Sequence, residues 1–257
     1  MVVGLDTFSA HFKDFQDSYI IIGGTACDII IEEAGFTPRA TDDIDMILIV
    51  EALSPEFVAK FWEFIKQGKY TIQQKNQEER NCYRFAAPEN PDYPKQLELF
   101  SKVPDVIDAN EGAHLTPIPV EEGLSSLSAI LLDETYYKYT IENSDIKEGV
   151  HFAAPHTLIC LKAFAFLNNT ERKAAGQNVR SVDIKKHKYD VFRMVMMLTE
   201  NSQFDLPQTI KADMQKFIDT VKNELPSPEI FAANGFGNQD MGAIFNRLVK
   251  AFQLTAE

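Results

Sequence analysis

Three acidic residues stand where their side chains could converge on one ion. Thr41-Asp42-Asp43-Ile44-Asp45 opens a run that stays apolar through Val50, and such a run reads as a buried strand. Side chains alternate faces along a strand, so Asp43 and Asp45 share one face while Asp42 points away. Two carboxylates on one face of a buried strand repel each other and are costly to desolvate. A divalent cation removes that cost. Oxygen ligands suit Mg2+, with Mn2+ as a substitute. Two such ions would stabilise the attacking and leaving oxygens of a phosphoryl or nucleotidyl displacement. A third acid, Glu98, sits at the centre of Gln96-Leu97-Glu98-Leu99-Phe100, a short alternating strand. If that strand lies beside Asp43–Val50, Glu98 completes a three-carboxylate cage. The plainer alternatives are a solvated strand end for the aspartates and the outer face of an amphipathic strand for Glu98.

A second chemical signal precedes the acids. Tyr19-Ile20-Ile21-Ile22 is short and β-branched, and Gly23-Gly24-Thr25 stops it before a helix over Ala26–Ala34. Glycines let a phosphate approach the backbone closely, and the free N–H groups at a helix N-terminus favour anions. Thr25 adds a hydroxyl donor. Many strand–helix turns use glycine for geometry alone. No Gly-Lys-Ser/Thr follows, so the turn is not a Walker A loop, and it is not GxGxxG either. Arg39, four residues ahead of Asp43, could reach a triphosphate or could be an ordinary surface charge.

These groups need elements to hold them. Phe8, Phe12 and Phe15 follow helical spacing in the opening segment. Ser54 caps a helix with Pro55 in its first turn, and Phe57, Phe61, Phe64 and Ile65 face inward before Gly68. Tyr70–Gln73 and Cys82–Ala86 read as a strand pair joined by the polar loop Gln74–Arg80. A loop with several prolines and glycines runs to about Gly123. Ser128–Thr140 reads as a hairpin with Asp133-Glu134 at its turn, a helix being the alternative. From Pro155 the texture is helical, over Pro155–Asn168, Ser181–Leu198, Gln208–Asn223 and Asp240–Leu254. The fold class expected is α+β, with a mixed β-sheet and flanking helices followed by a helical C-terminal domain. The boundary is set at 150, giving domains of 1–150 and 151–257.

Composition narrows the setting. The 257 residues are 45% hydrophobic and 25% charged, as in ordinary globular chains. The balance of 25 basic against 38 acidic residues gives a net charge of −13, which argues against non-specific coating of nucleic acid. Cys27, Cys82 and Cys160 are odd in number and far apart, so neither a disulfide framework nor a CxxC metal pair is expected. No apolar run is long enough to span a bilayer, and the opening residues lack a signal-like apolar core. The expected location is the cytoplasm, with no membrane partner.

Taken together, Gly23-Gly24, Asp43/Asp45 and Glu98 resemble, in that order, the nucleotidyltransferase superfamily with the DNA polymerase β-like fold. More closely, Gly23-Gly24-Thr25-Ala26 and Arg39-Ala40-Thr41-Asp42-Asp43-Ile44-Asp45 look like the AbiEii-type toxins of type IV toxin–antitoxin systems. Those place a helical half after an apolar strand, a proline and a helix bearing a lysine. Val150-His151-Phe152-Ala153-Ala154-Pro155 and Leu158–Lys162 fit that order. Lys185-Lys186-His187-Lys188-Tyr189-Asp190 fits a later helix with basic residues ahead of an aspartate. The resemblance implies an Mg2+-dependent nucleotidyltransferase with Asp43, Asp45 and Glu98 at the metals. It implies an NTP held by Gly23, Gly24, Thr25 and Arg39, with Lys162 on its phosphates and Asp190 supporting the centre. The acceptor would be an RNA end, a protein hydroxyl or a small molecule, and a toxin would have an antitoxin protein as partner. The alternative is a nucleotide- or partner-binding module that keeps the fold without the chemistry.

Each C-terminal candidate also has an ordinary reading. Lys162 could sit at a solvated helix edge, and Asp190 could pair with Lys186 at i,i+4. The run Arg180–Lys188 is the densest positive patch, where an RNA acceptor would bind if there is one. His151 and His156 read as structural, and Met194, Met196 and Met197 as core.

Overall fold

The computed structural model describes residues 2–39, 41–72, 82–101 and 133–256. They fall into two compact units. The described residues of Met1–Ile29, Ala40–Glu121 and Asn143–Ala153 form the first, and those of Ile30–Arg39, Glu122–Glu142 and Ala154–Glu257 form the second. The first unit thus runs slightly past the boundary expected at 150. Two segments from before that boundary group with the helices.

The first unit is built on a mixed sheet. Its strands are β1 (Tyr19–Ile22), β2 (Asp43–Leu48), β3 (Thr71–Ile72), β4 (Cys82–Ala86), β5 (Gln96–Phe100), β6 (Ser144–Lys147) and β7 (Val150–Ala153). They form one seven-stranded sheet in the order β3-β4-β5-β2-β1-β7-β6. β2 runs parallel to β5 and antiparallel to β1, and β1 runs parallel to β7. β1 and β2 are central, and all four residues of β1 are fully buried. That is why their apolar runs are nearly continuous rather than alternating.

One face of the sheet is covered by α1 (Leu5–Phe12) and α3 (Pro55–Gly68). Phe8 meets Tyr19 of β1 edge-on at 5.2 Å, and Phe61 meets Phe85 of β4 at 5.3 Å. Phe12, Phe57 and Phe64 fill the space between. Each such ring contributes roughly 1.5–3 kcal/mol through burial. The start of α3 is as the sequence indicates, with Ser54 Oγ accepting from the Phe57 N–H at 3.2 Å and Pro55 in the first turn. The strand pair expected at Tyr70–Gln73 and Cys82–Ala86 forms between β3 and β4, while Gln74–Arg80 lies outside the described residues.

The hairpin expected over Ser128–Thr140 is not formed. Residues 128–132 lie outside the described set, and Glu134–Glu142 is a helix, α4. Asp133 is its cap rather than a turn residue, its Oδ1 accepting from Thr135 N–H at 2.8 Å and Tyr136 N–H at 3.3 Å. The hairpin lies just beyond. β6 and β7 pair antiparallel around Glu148 and Gly149, both at positive φ (48° and 81°), as a two-residue hairpin turn demands.

The second unit is helical. Its main members are α5 (Pro155–Ala174), α6 (Ser181–Met196), α7 (Gln208–Val221) and α9 (Met241–Ala251), with a short α8 (Glu229–Ala232). Leu158 through Ala163 of α5 are all buried, so this helix forms the unit's axis. Phe166 packs on Phe217 of α7 at 5.3 Å, and Tyr136 of α4 packs on Phe164 at 5.2 Å. Asp240 caps α9 by accepting from Gly242 N–H and Ala243 N–H. Met194 is fully buried at the end of α6, as expected of a core residue, while Met196 and Met197 are only half-buried. Among the described residues no helix is long and apolar enough to cross a membrane.

Candidate functional site

The acids meet through strand register. β2 and β5 are parallel neighbours, with Asp43 opposite Gln96 and Asp45 opposite Glu98. Antiparallel β4 places Arg84 opposite Glu98, and antiparallel β1 places Ile22 opposite Asp45. In-register residues on neighbouring strands project to the same face. One row therefore reads Arg84, Glu98, Asp45, Ile22, with Asp43 and Gln96 beside it. The aromatic core lies under Tyr19 and Phe85, which alternate to the opposite face. The strand arrangement required for Glu98 to join the aspartates is thus present.

Burial differs along the row. Asp43 and Asp45 are half-buried, while Glu98 is 6% exposed. Oε1 of Glu98 accepts from Arg84 Nε at 2.8 Å and from Gln96 Nε2 at 2.7 Å, and Arg84 Nη2 lies 2.7 Å from the same oxygen. Burial and then the charge of Asp45 push the Glu98 carboxyl up to about 8, against the opposing pull of Arg84.

The turn ahead of the acids is shaped around them. α2 (Gly23–Glu33) begins directly after Ile22 rather than at Ala26. Gly23 has φ +70°, and a Cβ there would overlap the Asp45 carboxylate. A Cβ on Gly24 would lie 2.9 Å from Thr41 Oγ1. Both glycines are required by close approach, and both are buried.

Thr25 departs from its expected role as a phosphate donor. It is fully buried, and its hydroxyl donates to the main-chain carbonyl of Asp43. A buried hydroxyl whose proton is already committed offers no donor to a phosphate. It ties α2 to β2 instead. Asp28, one turn further along α2 and fully buried, accepts from the Thr41 N–H at 2.8 Å and fixes the approach to β2. Sequence reasoning missed Asp28, although its i,i+3 spacing from Thr25 puts both on one helix face.

Arg39, Lys162 and Asp190 come together in the helical unit. Asp190 is fully buried. Lys162 Nζ lies 3.2 Å from Oδ2, Arg193 Nη1 lies 3.1 Å from Oδ1, and Arg39 Nη2 is 3.2 Å from both oxygens. Burial alone would raise the Asp190 carboxyl, but Lys162, Arg39 and Arg193 outweigh it and hold it below the usual range. Neither ordinary reading holds. Lys162 is 3% exposed rather than at a solvated edge. Lys186 faces solvent while the Asp190 carboxylate turns inward to the other three cations.

Arg193 and His187 are the members sequence reasoning did not single out. Arg193 also lies over the Phe231 ring at 5.5 Å and reaches Asn234 Oδ1 at 3.4 Å. His187 Nδ1 is buried with no hydrogen-bond partner. Burial, then the Lys162 charge, depress its imidazole to about 3. The positive patch at Arg180–Lys188 is smaller than its sequence suggests. Arg180 pairs with Asp183 at 2.8 Å, and Lys188 is buried against the Glu224 carbonyl at 3.0 Å. His151 and His156 are structural. His151 bridges the Gln16 carbonyl and Ser144 Oγ, and His156 stacks on Phe204 at 4.1 Å.

Asp43 and Asp45, hard oxygen donors sharing a half-exposed face, fit a divalent cation. Glu98 stands in register with them but is tied through Oε1 to Arg84. Among the described residues no group of three or more His, Cys, Asp or Glu side chains forms a cluster that could hold a metal. The three acids expected together thus share one face of the sheet, with Arg84 bound to Oε1 of Glu98.

No family model and no curated protein matches the chain. Among solved structures it is similar to an antigenic nucleotidyltransferase-like protein from Paracoccidioides brasiliensis, at 13% identity and a TM-score of 0.47, over 95% of this chain and 99% of that one. It is also similar to the Megavirus polyadenylate synthase, at 16% identity and a TM-score of 0.40, over 86% of this chain and 36% of the synthase. Likeness at this level leaves function to be read from the residues themselves.

Proposed function

We propose that the chain is a nucleotidyltransferase that moves an NMP from an NTP to an acceptor hydroxyl. The observation that carries this reading is the in-register pairing of Asp45 with Glu98 above Gly23, whose missing side chain makes room for the Asp45 carboxylate. Asp43 and Asp45 would hold Mg2+, which supplies positive charge to the triphosphate and to the displacement at its α-phosphorus. The acceptor oxygen forms a bond to the α-phosphorus, the bond to the bridging oxygen breaks in line, and pyrophosphate leaves. Glu98 Oε2 takes the hydroxyl proton. Arg84 and Gln96 occupy the other oxygen and orient the carboxylate. A carboxyl pushed up to about 8 is placed near working pH, where a general base is effective. Arg39, Lys162 and Arg193 converge on the Asp190 carboxylate. The resemblance gives Arg39 and Lys162 a phosphate-binding role, with Asp190 as their organiser.

The toxin resemblance adds a protein antitoxin as partner and a cytoplasmic setting. A second reading, a nucleotide-binding module without turnover, is favoured by the Arg84–Glu98 pair, which occupies one of the three acids. One experiment separates them. The protein is incubated with Mg2+ and each of the four α-32P-labelled NTPs in total RNA, total protein and a small-molecule fraction, beside an Asp43→Ala/Asp45→Ala variant. Label that needs both aspartates supports transfer and identifies nucleotide and acceptor class. Mg2+–NTP binding with no label in any fraction leaves the binding module.

A further inference from the structure

We propose that Arg84 is an internal counter-cation of the carboxylate face and sets its divalent-cation affinity by competing for Glu98. The inference rests on the reading of Asp43 and Asp45 as cation ligands. Arg84 reaches Glu98 because antiparallel β4 brings it into register on the same face. An arginine–carboxylate fork ordinarily spans both oxygens. Here Arg84 Nε and Nη2 both converge on Oε1, which the Gln96 amide also meets. The guanidinium thus neutralises Glu98, and among the described residues no hydrogen bond or ion pair reaches Oε2.

The exposures of the two partners show which of them can move. The Arg84 side chain is 25% exposed and that of Glu98 is 8% exposed. Arg84 can swing toward water from its place on the row, whereas Glu98 is fixed in the sheet beside Asp45. A divalent cation between Asp43 and Asp45 repels the guanidinium, and both gain from the charge of Glu98. Occupancy by one therefore weakens the other. The cation-free protein holds Glu98 through Arg84, and cation binding must overcome that contact. An arginine that touches no cation would then tune the site across the affinity range that ligand charge count ordinarily sets.

The test is Mn2+ titration of the full chain without nucleotide, followed by calorimetry and by the spin-resonance signal of free Mn2+. Arg84→Gln keeps an N–H donor for Glu98 and removes the charge. It is expected to bind Mn2+ about tenfold tighter than wild type. Arg84→Lys keeps the charge and is expected to stay close to wild type, which a purely packing role would not require. Glu98→Gln is expected to bind more weakly. Equal or weaker binding by Arg84→Gln overturns the proposal while Asp43→Asn/Asp45→Asn still abolishes binding, and the transferase reading stands. If Arg84→Gln does not fold, Glu98→Gln decides, since unchanged binding there means the Glu98 charge is not felt at the cation. Wild-type Mn2+ binding that is absent, or that survives loss of both aspartates, sinks the transferase reading and the counter-cation together.

Discussion

Asp45→Asn should stabilise the cation-free protein, and only at alkaline pH. Asp45 and Glu98 are in-register neighbours on parallel strands, and the strand spacing of about 5 Å sets the scale of their carboxylate separation. Two charges at that distance repel by about 3 kcal/mol at an effective dielectric constant of ~20. Solvent at the half-buried Asp45 reduces this to about 1–2 kcal/mol. The repulsion exists only when Glu98 is ionised. Its carboxyl is raised from 4.5 to about 8 in the fold. A raised carboxyl contributes stability that is fully present below 4.5 and is lost as pH rises through 8. At about pH 6 Glu98 is protonated and Asp45→Asn relieves little. At about pH 9 it is charged and the variant relieves the full term. Urea unfolding in EDTA should show Asp45→Asn gaining about 1–2 kcal/mol on wild type between those two pH values. Taking the difference cancels any hydrogen bond lost with the carboxylate at both. An equal effect of the mutation at both pH values would falsify the electrostatic account.

Other outcomes follow from the same geometry. Asp190→Ala strands buried Lys162 and Arg193 and should cost about 3–5 kcal/mol in urea unfolding; Lys162→Met, which leaves Asp190 two arginines, should cost less. Gly23→Ala combines φ +70° with a Cβ against the Asp45 carboxylate, so it should lower stability by about 2 kcal/mol and weaken Mn2+ binding, as read by thermal shift with and without the ion. His187 is held neutral, depressed from 6.5 to about 3. Its contribution to stability is present above 6.5 and is lost as pH falls through 3. His187→Gln should therefore flatten acid destabilisation in that window, followed by circular dichroism.

How far such a site can be read from sequence depends on how local its determinants are. The alternation through Asp43-Ile44-Asp45 and around Glu98 is local, and both strands form where it predicts. The partner of Glu98 is not local. Arg84 lies in Cys82–Ala86, and only the β4–β5 register, Arg84 opposite Glu98, reveals it. The Asp190 cluster is harder still, because Arg39 and Asp190 are 151 positions apart in sequence. No periodicity links residues that meet through packing of separate elements. The misread hairpin has a different cause. Its tyrosines and threonines favour strand, but a single aspartate cap commits Glu134–Glu142 to helix.

The acidic row is also where local rules conflict with stability. An acid 6% exposed beside two others is an arrangement a chain selected for stability alone would replace with threonine or valine. The surroundings do the opposite. Gly23 gives up a side chain and adopts positive φ so that Asp45 can occupy its place. Thr25 and Asp28 spend their polar groups on fixing the segment that leads into Asp43. The proposed divalent cation would relieve the destabilising charge that these neighbours hold in place. Divalent-cation stabilisation should therefore be larger at about pH 9 than at about pH 6, because Glu98, pushed up to about 8, must release a proton before its charge can act at the lower value.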